Sequence, residues 1–200
     1  MLTGVVLAGG QSTRMGRDKL HLKVGEMTLL ERVTGTLADT CNEVLLVGTP
    51  LSDPPPGTRP VPDLRPGRAG PLAGIEAGLA AASHPSVFVA AADMPFLTRR
   101  VVEGLVGYLA TGARIAVPRY DGRSHPLCAA YDRSALYGLS LQLDEGERSV
   151  WRALGHCEGV VYVEGEELRR LGEPARFLMN VNSPEDLEQA RKTASERENG

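Results

Sequence analysis

The 200-residue sequence lacks the features of secreted and membrane proteins. Its three cysteines, Cys41, Cys128 and Cys157, are odd in number and far apart, so neither a disulfide framework nor a pair of zinc ligands is predicted. Free thiols favour a reducing compartment. The apolar runs are interrupted by charge well short of the roughly 20 residues that span a bilayer, and no basic segment precedes the first of them. We therefore expect a cytoplasmic protein that does not bind membranes.

Aromatic residues and excess positive charge are also scarce. The chain has three Phe, one Trp and five Tyr, too few and too scattered for the stacking platforms that bind single-stranded nucleic acid. The net charge of −3 excludes a polybasic surface as the default interpretation. No nucleic-acid partner is expected.

What the sequence does contain is an alternation of short β-branched runs with helical patterns, which is typical of a mostly parallel sheet covered by helices. Strands are predicted at 5–8, 44–47, 87–91, 115–117, 127–131 and 160–163, with a turn at Asp121 and Gly122 between the strands at 115–117 and 127–131. Helix starts are predicted at the capping box of Thr28 and Glu31, at Pro71, near Thr98 and at Ser183. One domain over residues 1–192 is expected, followed by a polar, frayed tail at 193–200.

Proline and small residues shape two further segments. Six prolines between 50 and 62 predict a rigid surface loop or an edge segment. The helix that begins at Pro71 is rich in Ala and Gly, so it can pack closely on the sheet.

A glycine-rich stretch at 7–19 follows the first predicted strand. Gly9 and Gly10 let backbone amides approach phosphate oxygens, and Arg14, Arg17 and Lys19 concentrate positive charge in the second half. The stretch matches neither the P-loop nor the dinucleotide-binding pattern. It predicts a loop that binds a polyanion such as a triphosphate, the alternative being a tight surface turn with solvated cations.

Asp93 comes just after a predicted apolar strand, at the carboxyl edge of the sheet, where α/β proteins bind ligands. A carboxylate there is a suitable ligand for Mg²⁺ that bridges to phosphate oxygens. The alternative is an aspartate that caps the turn before Pro95.

The stretch at 7–19 resembles the signature of the molybdenum cofactor guanylyltransferases, within the larger nucleotidyltransferase superfamily. Further landmarks follow in order: Gly70-Pro71-Leu72-Ala73-Gly74, Asp93-Met94-Pro95-Phe96, His125-Pro126-Leu127, and Asn180-Val181-Asn182 leading into Ser183-Pro184-Glu185-Asp186-Leu187. The first motif alone is shared across the superfamily, whereas the ordered set spans nearly the whole chain.

The resemblance implies a single-domain, Rossmann-like α/β/α sandwich with a mostly parallel mixed sheet of the nucleotide-diphospho-sugar transferase type. It also implies transfer of GMP from GTP to the terminal phosphate of molybdopterin, with release of pyrophosphate and a requirement for Mg²⁺. GTP and molybdopterin would be the small-molecule substrates. Transient contacts with molybdenum-insertion proteins or molybdoenzyme chaperones are expected.

The family's site residues map onto numbered positions of this chain. The implied catalytic residues are Lys19, Arg14 and Asp93, and the implied metal ligands are Asp93 and Asn182. The implied nucleotide-binding residues are Leu7, Ala8, Gly9, Gly10, Lys19, Asp63 and Asp93. His125 and Asn180 are candidates for the pterin side, and Arg65, Arg68, Arg119 and Arg123 for a positive rim.

Each assignment has a plainer alternative. Asp63 can be a solvated loop carboxylate, and Asn180 and Asn182 can be turn residues before the Ser183 cap. His125 can be a packed or surface histidine, and the arginines can be solvated.

Three other functions use the same loop. A molybdopterin cytidylyltransferase, or a guanylyltransferase for another phosphorylated acceptor, would need the same cations and glycines. The cytidylyl relatives read Leu-Ala-Ala-Gly at this motif. The presence of the second glycine, Gly10, in this chain therefore favours guanine over cytosine. A non-catalytic nucleotide-binding regulator is disfavoured because Lys19, Asp93 and Asn182 are present together.

Overall fold

The computed structural model describes residues 1–9, 19–48, 54–65 and 70–198, which form a central mixed sheet with helices on both faces. The predicted α/β/α sandwich is confirmed. Gly10, Arg14, Arg17 and Arg68 lie outside the described residues, so the predictions for them are not tested. No helix in the described ranges is long and apolar enough to cross a membrane.

The strands of the main sheet are short and mostly buried. In chain order they are β1 (Leu2–Leu7), β4 (Glu43–Val47), β5 (Thr58–Val61), β6 (Ser86–Ala91), β7 (Ile115–Tyr120), β8 (Arg123–Ser124), β9 (Cys128–Asp132) and β10 (Val160–Val163). A small separate hairpin consists of β2 (Lys23–Val24) and β3 (Met27–Thr28).

The spatial order of the strands is β10-β7-β9-β6-β1-β4-β5, with β8 paired to β7. Strand β9 runs antiparallel to its neighbours β6 and β7, whereas the β10–β7, β6–β1, β1–β4 and β4–β5 pairs are parallel. The carboxyl ends of β1, β4, β5, β6, β7 and β10 therefore meet at one edge of the sheet.

The helices lie on both faces of the sheet. They are α1 (Leu29–Ala38), α2 (Pro71–Ala81), α3 (Arg99–Leu109), α4 (Ala135–Asp144), α5 (Val150–Gly155), α6 (Gly165–Arg169), α7 (Pro174–Phe177) and α8 (Pro184–Glu198). One buried core includes side chains of α1, α3, α6 and α7, and a second includes side chains of α2, α4 and α5. A third cluster packs α8 against the β2–β3 hairpin.

Local sequence signals explain several helix starts. Thr28 and Glu31 form the predicted capping box of α1, in which each side chain accepts a hydrogen bond from the other residue's backbone N–H. Thr98 caps α3 through its hydroxyl. Pro71 occupies the first turn of α2, where its missing N–H costs no helical hydrogen bond.

The small residues of α2 allow the close packing that the sequence predicts. A Cβ added at Gly78 would lie 2.6 Å from Cγ1 of Val5, and one added at Gly74 would lie 3.1 Å from Cδ2 of Leu7. Larger side chains at these positions would push α2 away from β1, and this packing fixes the height of α2 above the sheet.

Three expectations are resolved by the structure. The proline-rich segment contains β5, and among the strands that the structure describes β5 pairs only with β4, so the predicted edge segment is confirmed. The predicted turn at Asp121 and Gly122 joins β7 to β8, and both residues have positive φ (49° and 70°), as tight hairpin turns require. Residues 193–198, expected as part of a frayed tail, instead continue α8 to Glu198, and Ala194 is buried against the β2–β3 cluster.

Candidate active site

The candidate site lies at the carboxyl edge of the sheet, where the chain leaves β1 and β6. Ala92 N–H donates to the carbonyl of Leu7 (3.1 Å), so the segment after β6 continues alongside the end of β1. Ala8 N–H donates to the carbonyl of Val47 (2.9 Å) on the other side. The implied nucleotide-binding residues Leu7, Ala8 and Gly9 are therefore held at the point where three parallel strands end.

Lys19, Asp93 and Asn182 come together at this edge. Lys19 Nζ lies 2.6 Å from Asp93 Oδ2 and donates to Asn182 Oδ1 at 3.1 Å. Both partners of the ion pair are mostly buried, with 21% of the Lys19 side chain and 12% of the Asp93 side chain exposed. The structure thus brings together one cation and two side-chain oxygens that the sequence placed far apart.

The turn that carries Asp93 is joined to the segment that carries Asn182. Val181 N–H donates to the Asp93 carbonyl (3.0 Å), and Lys19 Nζ reaches the Val181 carbonyl at 3.5 Å. The backbone N–H groups of Asn182 and Ser183 both donate to Asp186 Oδ2 at 2.9 Å. Asp186 N–H in turn donates to Ser183 Oγ, so the cap of α8 orients Asn182 towards Lys19.

Asp93 carries a polar atom that no described residue satisfies. Oδ1 is buried and has no hydrogen-bond partner in the described parts of the chain, whereas Oδ2 faces Lys19. A buried carboxylate oxygen without a partner is costly, and such atoms mark places where a ligand or ion binds. The alternative of a simple turn cap before Pro95 does not account for the contact with Lys19.

Two glycine backbones touch beside the end of β1. Gly48 has φ +121°, and a Cβ there would lie 2.5 Å from Gly9 N and 2.7 Å from Gly9 Cα. Gly9 is less restricted, because its added Cβ would meet Gly48 Cα at 3.4 Å. Gly48 is a site-shaping residue that the sequence interpretation missed, although its place directly after a predicted strand was a usable signal.

Gly9, and not Gly10, is the position at which this chain differs from the cytidylyl pattern. Aligned position by position, the second alanine of Leu-Ala-Ala-Gly falls on Gly9, not on Gly10. Gly9 lies in a described segment, and its surroundings show room for one methyl group. Any preference for guanine that this pattern predicts therefore depends on Gly9.

Asp63 lies two residues beyond Val61, whose carbonyl accepts from Gly48 N–H (3.3 Å). Its side chain is exposed at the same sheet edge as Gly9. It is near the end of β5 and is not part of the Lys19 cluster.

The candidates for the pterin side do not contact Lys19 through any described hydrogen bond. Asn180 Nδ2 donates to the Leu178 carbonyl at 3.3 Å, a local turn contact. His125 is half-buried, and its backbone N–H donates to the Pro118 carbonyl (2.9 Å). Burial and the charge of Arg123 lower the pKa of the His125 imidazole, which is therefore neutral at pH 7.

Two of the arginines predicted for a positive rim already contact other side chains of the protein. Arg119 stacks over the ring of Tyr162, 3.8 Å from its centroid, and lies 3.6 Å from Glu164. Arg65 binds Glu76, a buried carboxylate of α2 that sequence reasoning missed. A single charged residue inside the otherwise apolar sequence of α2 was the available signal.

Residues 4–160 match the MobA-like NTP transferase domain. The chain belongs to this family. It is therefore a nucleotidyltransferase and an enzyme. Membership agrees with the predicted resemblance and with the fold, although Asn182 and the cap of α8 lie beyond the matched residues.

Relatives of this MobA-like chain match it over nearly their full length. It is 37% identical to a probable molybdenum cofactor guanylyltransferase of Pelotomaculum thermopropionicum, over 99% of this chain and 96% of the relative. It is 39% identical to one of Mycobacterium tuberculosis, over 93% and 91%. The crystal structure of molybdopterin-guanine dinucleotide biosynthesis protein A from Archaeoglobus fulgidus superposes with a TM-score of 0.81 at 28% identity, covering 97% of this chain and 99% of that one.

Proposed function

We propose that this enzyme transfers GMP from GTP to the terminal phosphate of molybdopterin, forming the guanine dinucleotide and releasing pyrophosphate. The observation that carries the proposal is the contact of Lys19 with Asp93 and Asn182 at the carboxyl edge of the sheet. The names of the relatives, which are molybdenum cofactor guanylyltransferases, support the choice of both substrates.

The reaction needs little proton transfer. The acceptor's terminal phosphate has a second pKa of about 6, so its oxygen is already an anionic nucleophile at neutral pH. That oxygen forms a bond to the α-phosphorus of GTP, and the bond from the α-phosphorus to the bridging oxygen breaks, so pyrophosphate leaves with the electron pair. The enzyme's task is to neutralise phosphate charge and to hold the two substrates in line.

Lys19 supplies positive charge for this task. Its ammonium group is held by Asp93 and Asn182, so it has little conformational freedom to lose when a phosphate binds. A cation that is already oriented stabilises developing charge on the α-phosphate and on the leaving pyrophosphate better than a solvated one.

The residues present fit the Mg²⁺ that the resemblance to the family implies. The unpartnered, buried Oδ1 of Asp93 and the Oδ1 of Asn182 are hard oxygen donors of the kind Mg²⁺ prefers. Mg²⁺ is usually held by one or two carboxylates together with substrate phosphates, and Asp93 would supply such a carboxylate. When bound, the ion would add Lewis-acid polarisation of the phosphate oxygens.

The nucleotide half of the site is proposed at the ends of β1, β4 and β5. The contact between Gly9 and Gly48 keeps side chains out of this corner, so a ligand can approach the backbone of residues 7–9 closely. Asp63, exposed at the same edge, presents a carboxylate that can accept from the N1–H and 2-amino groups of guanine.

A cytidylyltransferase is the main alternative, and turnover with three nucleotides tests it. Purified protein is incubated with molybdopterin and GTP, CTP or ATP, and pyrophosphate release is measured. Because an unpaired buried polar group costs about 1–3 kcal/mol, we expect GTP to exceed CTP by at least about tenfold in kcat/KM. Equal use of GTP and CTP would defeat the guanylyl assignment and leave nucleotidyl transfer standing.

A further inference from the structure

A partly buried ion-pair network lies just beyond β5. Arg65 donates to both carboxylate oxygens of Glu76, from Nε to Oε2 and from Nη2 to Oε1, each at 2.7 Å. Its Nη1 also donates to Asp144 Oδ1 at 2.7 Å, and its Nη2 reaches the Ser140 carbonyl at 3.3 Å. One guanidinium thus joins the segment after β5 to two helices, α2 and α4.

The strongest of these contacts is shielded from water. Only 6% of the Glu76 side chain and 24% of the Arg65 side chain are exposed, whereas Asp144 is largely solvated. The hydrogen bonds from Arg65 hold the pKa of the Glu76 carboxyl below its usual range, so the carboxylate stays charged at neutral pH. A fork-to-fork pair between planar groups fixes orientation as well as distance.

The network is placed to control Asp63. Asp63 and Leu64 are exposed, and β5, from which they emerge, has β4 as its one neighbour in the sheet order. Arg65 is two residues along the chain from Asp63 and is bound to α2, a helix whose own position is fixed by the contacts of Gly74 and Gly78 with β1. A rigid anchor this close restricts where the Asp63 carboxylate can lie relative to Gly9.

We propose that Arg65 is a positioning residue for the nucleotide: by clamping the segment after β5 to Glu76 and Asp144, it holds Asp63 where it binds the guanine base. The inference rests on the proposed function for the role of Asp63. Arg65 itself does not touch the nucleotide in this scheme. It acts on GTP affinity and on base selectivity, and not on the chemical step.

The test must separate positioning from folding. Replacing Arg65 alone would leave Glu76 as a buried, uncompensated charge, so the informative variant is the double substitution Arg65→Leu with Glu76→Leu, which removes both charges together. Thermal unfolding checks that this variant is folded. The matched control is Arg59→Gln, which breaks another arginine–glutamate pair close to the segment, from Arg59 of β5 to Glu43 of β4 at 2.6 Å.

We expect the double variant to lose affinity for GTP while keeping its kcat. In the double variant, KM for GTP and the GTP dissociation constant measured without acceptor rise about tenfold, kcat stays within about twofold, and the preference for GTP over CTP shrinks. In Arg59→Gln, all three remain near the wild-type values.

A second measurement tests whether Arg65 acts through Asp63. Asp63→Asn is compared in the wild-type and in the double-variant background. If Arg65 positions Asp63, Asp63→Asn weakens GTP binding about tenfold in the wild-type background. In the double variant it weakens binding by less than about twofold, because the contact between Asp63 and the guanine base is already lost there.

Additive effects of the two changes, or GTP affinity in the double variant equal to that of Arg59→Gln, would overturn the inference. Wild-type protein that binds GTP but does not transfer GMP to molybdopterin would defeat the proposed function alone, since GTP affinity still reports on Arg65. Wild-type protein that does not bind GTP would overturn both.

Discussion

Replacement of Lys19 by Met is the sharpest test of the site. The substitution keeps most of the side-chain volume and removes the ammonium group that lies 2.6 Å from Asp93 Oδ2 and 3.1 Å from Asn182 Oδ1. At an effective dielectric constant of about 20, two unit charges at that separation attract by roughly 6 kcal/mol before desolvation is deducted. The ammonium group is therefore a strong local charge at an edge where phosphates are proposed to bind.

The expected loss of kcat/KM is smaller than this gross attraction for two reasons. Burial of Lys19 has already cost it part of its hydration, and its charge is partly neutralised by Asp93. Loss of one preorganised electrostatic contact costs about 2–4 kcal/mol in the transition state, which is roughly 30- to 1000-fold in kcat/KM. Steady-state pyrophosphate release with GTP and molybdopterin measures it. The control is Lys23→Met, at an exposed position of β2 outside the site, for which kcat/KM should not change.

For the same variant we predict a second effect, a gain in Mg²⁺ affinity that accompanies the loss of activity. In the wild-type protein, Lys19 competes with a cation for Asp93, so its removal leaves a mostly buried carboxylate with the positive charge of Lys19 gone. Nucleotide-free Lys19→Met protein should therefore bind Mg²⁺ more tightly than wild type in a calorimetric titration, although it turns over more slowly. Wild-type kcat/KM in Lys19→Met, or a loss equal to that of His125→Ala, would refute the assignment of Lys19 as the phosphate-binding cation.

Three further predictions follow from the same geometry. Asp93→Asn should abolish Mg²⁺-dependent pyrophosphate release while the thermal unfolding curve shows a folded protein, and wild-type-like turnover would remove Asp93 from the metal site. Gly48→Ala should lower the free energy of unfolding by about 1–3 kcal/mol and weaken GTP binding, because the added Cβ would lie 2.5 Å from Gly9 N at a φ of +121°. Chemical denaturation measures the first effect and GTP titration the second. Unchanged values in both would contradict the close contact between Gly48 and Gly9. Gly9→Ala should fold normally, since its Cβ meets Gly48 Cα at 3.4 Å, and should reduce the GTP-over-CTP ratio in competition kinetics; an unchanged ratio would show that base choice is made elsewhere.

Much of the fold could be predicted because local signals were strong. The capping box at Thr28, the proline at Pro71 and the apolar run of β6 each specify an element boundary through short-range chemistry. The end of α8 could not be predicted in this way. Its last turns are polar in sequence, and they stay helical because Ala190 and Ala194 pack on the β2–β3 hairpin, a tertiary contact without a local signature.

The residues of the candidate site could be proposed from the sequence, but their arrangement could not. Resemblance named Lys19, Asp93 and Asn182, and the placement of Asp93 after β6 gave it a position at the edge of the sheet. Periodicity cannot show that Lys19 bridges the other two. Nor could it reveal that Arg65, a candidate for a solvated rim, is bound to Glu76, because that pairing depends on how close α2 lies to the segment after β5.

The bond between Lys19 and Asn182 joins residues 163 positions apart, and the domain shared with the family ends at residue 160. Chains are made from the amino terminus at about 5–20 residues per second, so Lys19 and Asp93 emerge from the ribosome several seconds before Asn182. During that interval a nascent chain cannot complete the cluster around Lys19, because Asn182 has not yet been made. A fragment that ends at residue 160 would lack Asn182 permanently. It would also lack the hydrogen bond from Val181 N–H to the Asp93 carbonyl, which supports the turn that carries Asp93. The cluster around Lys19 is therefore completed only after the segment that carries Asn182 has been synthesised and has packed beside Asp93.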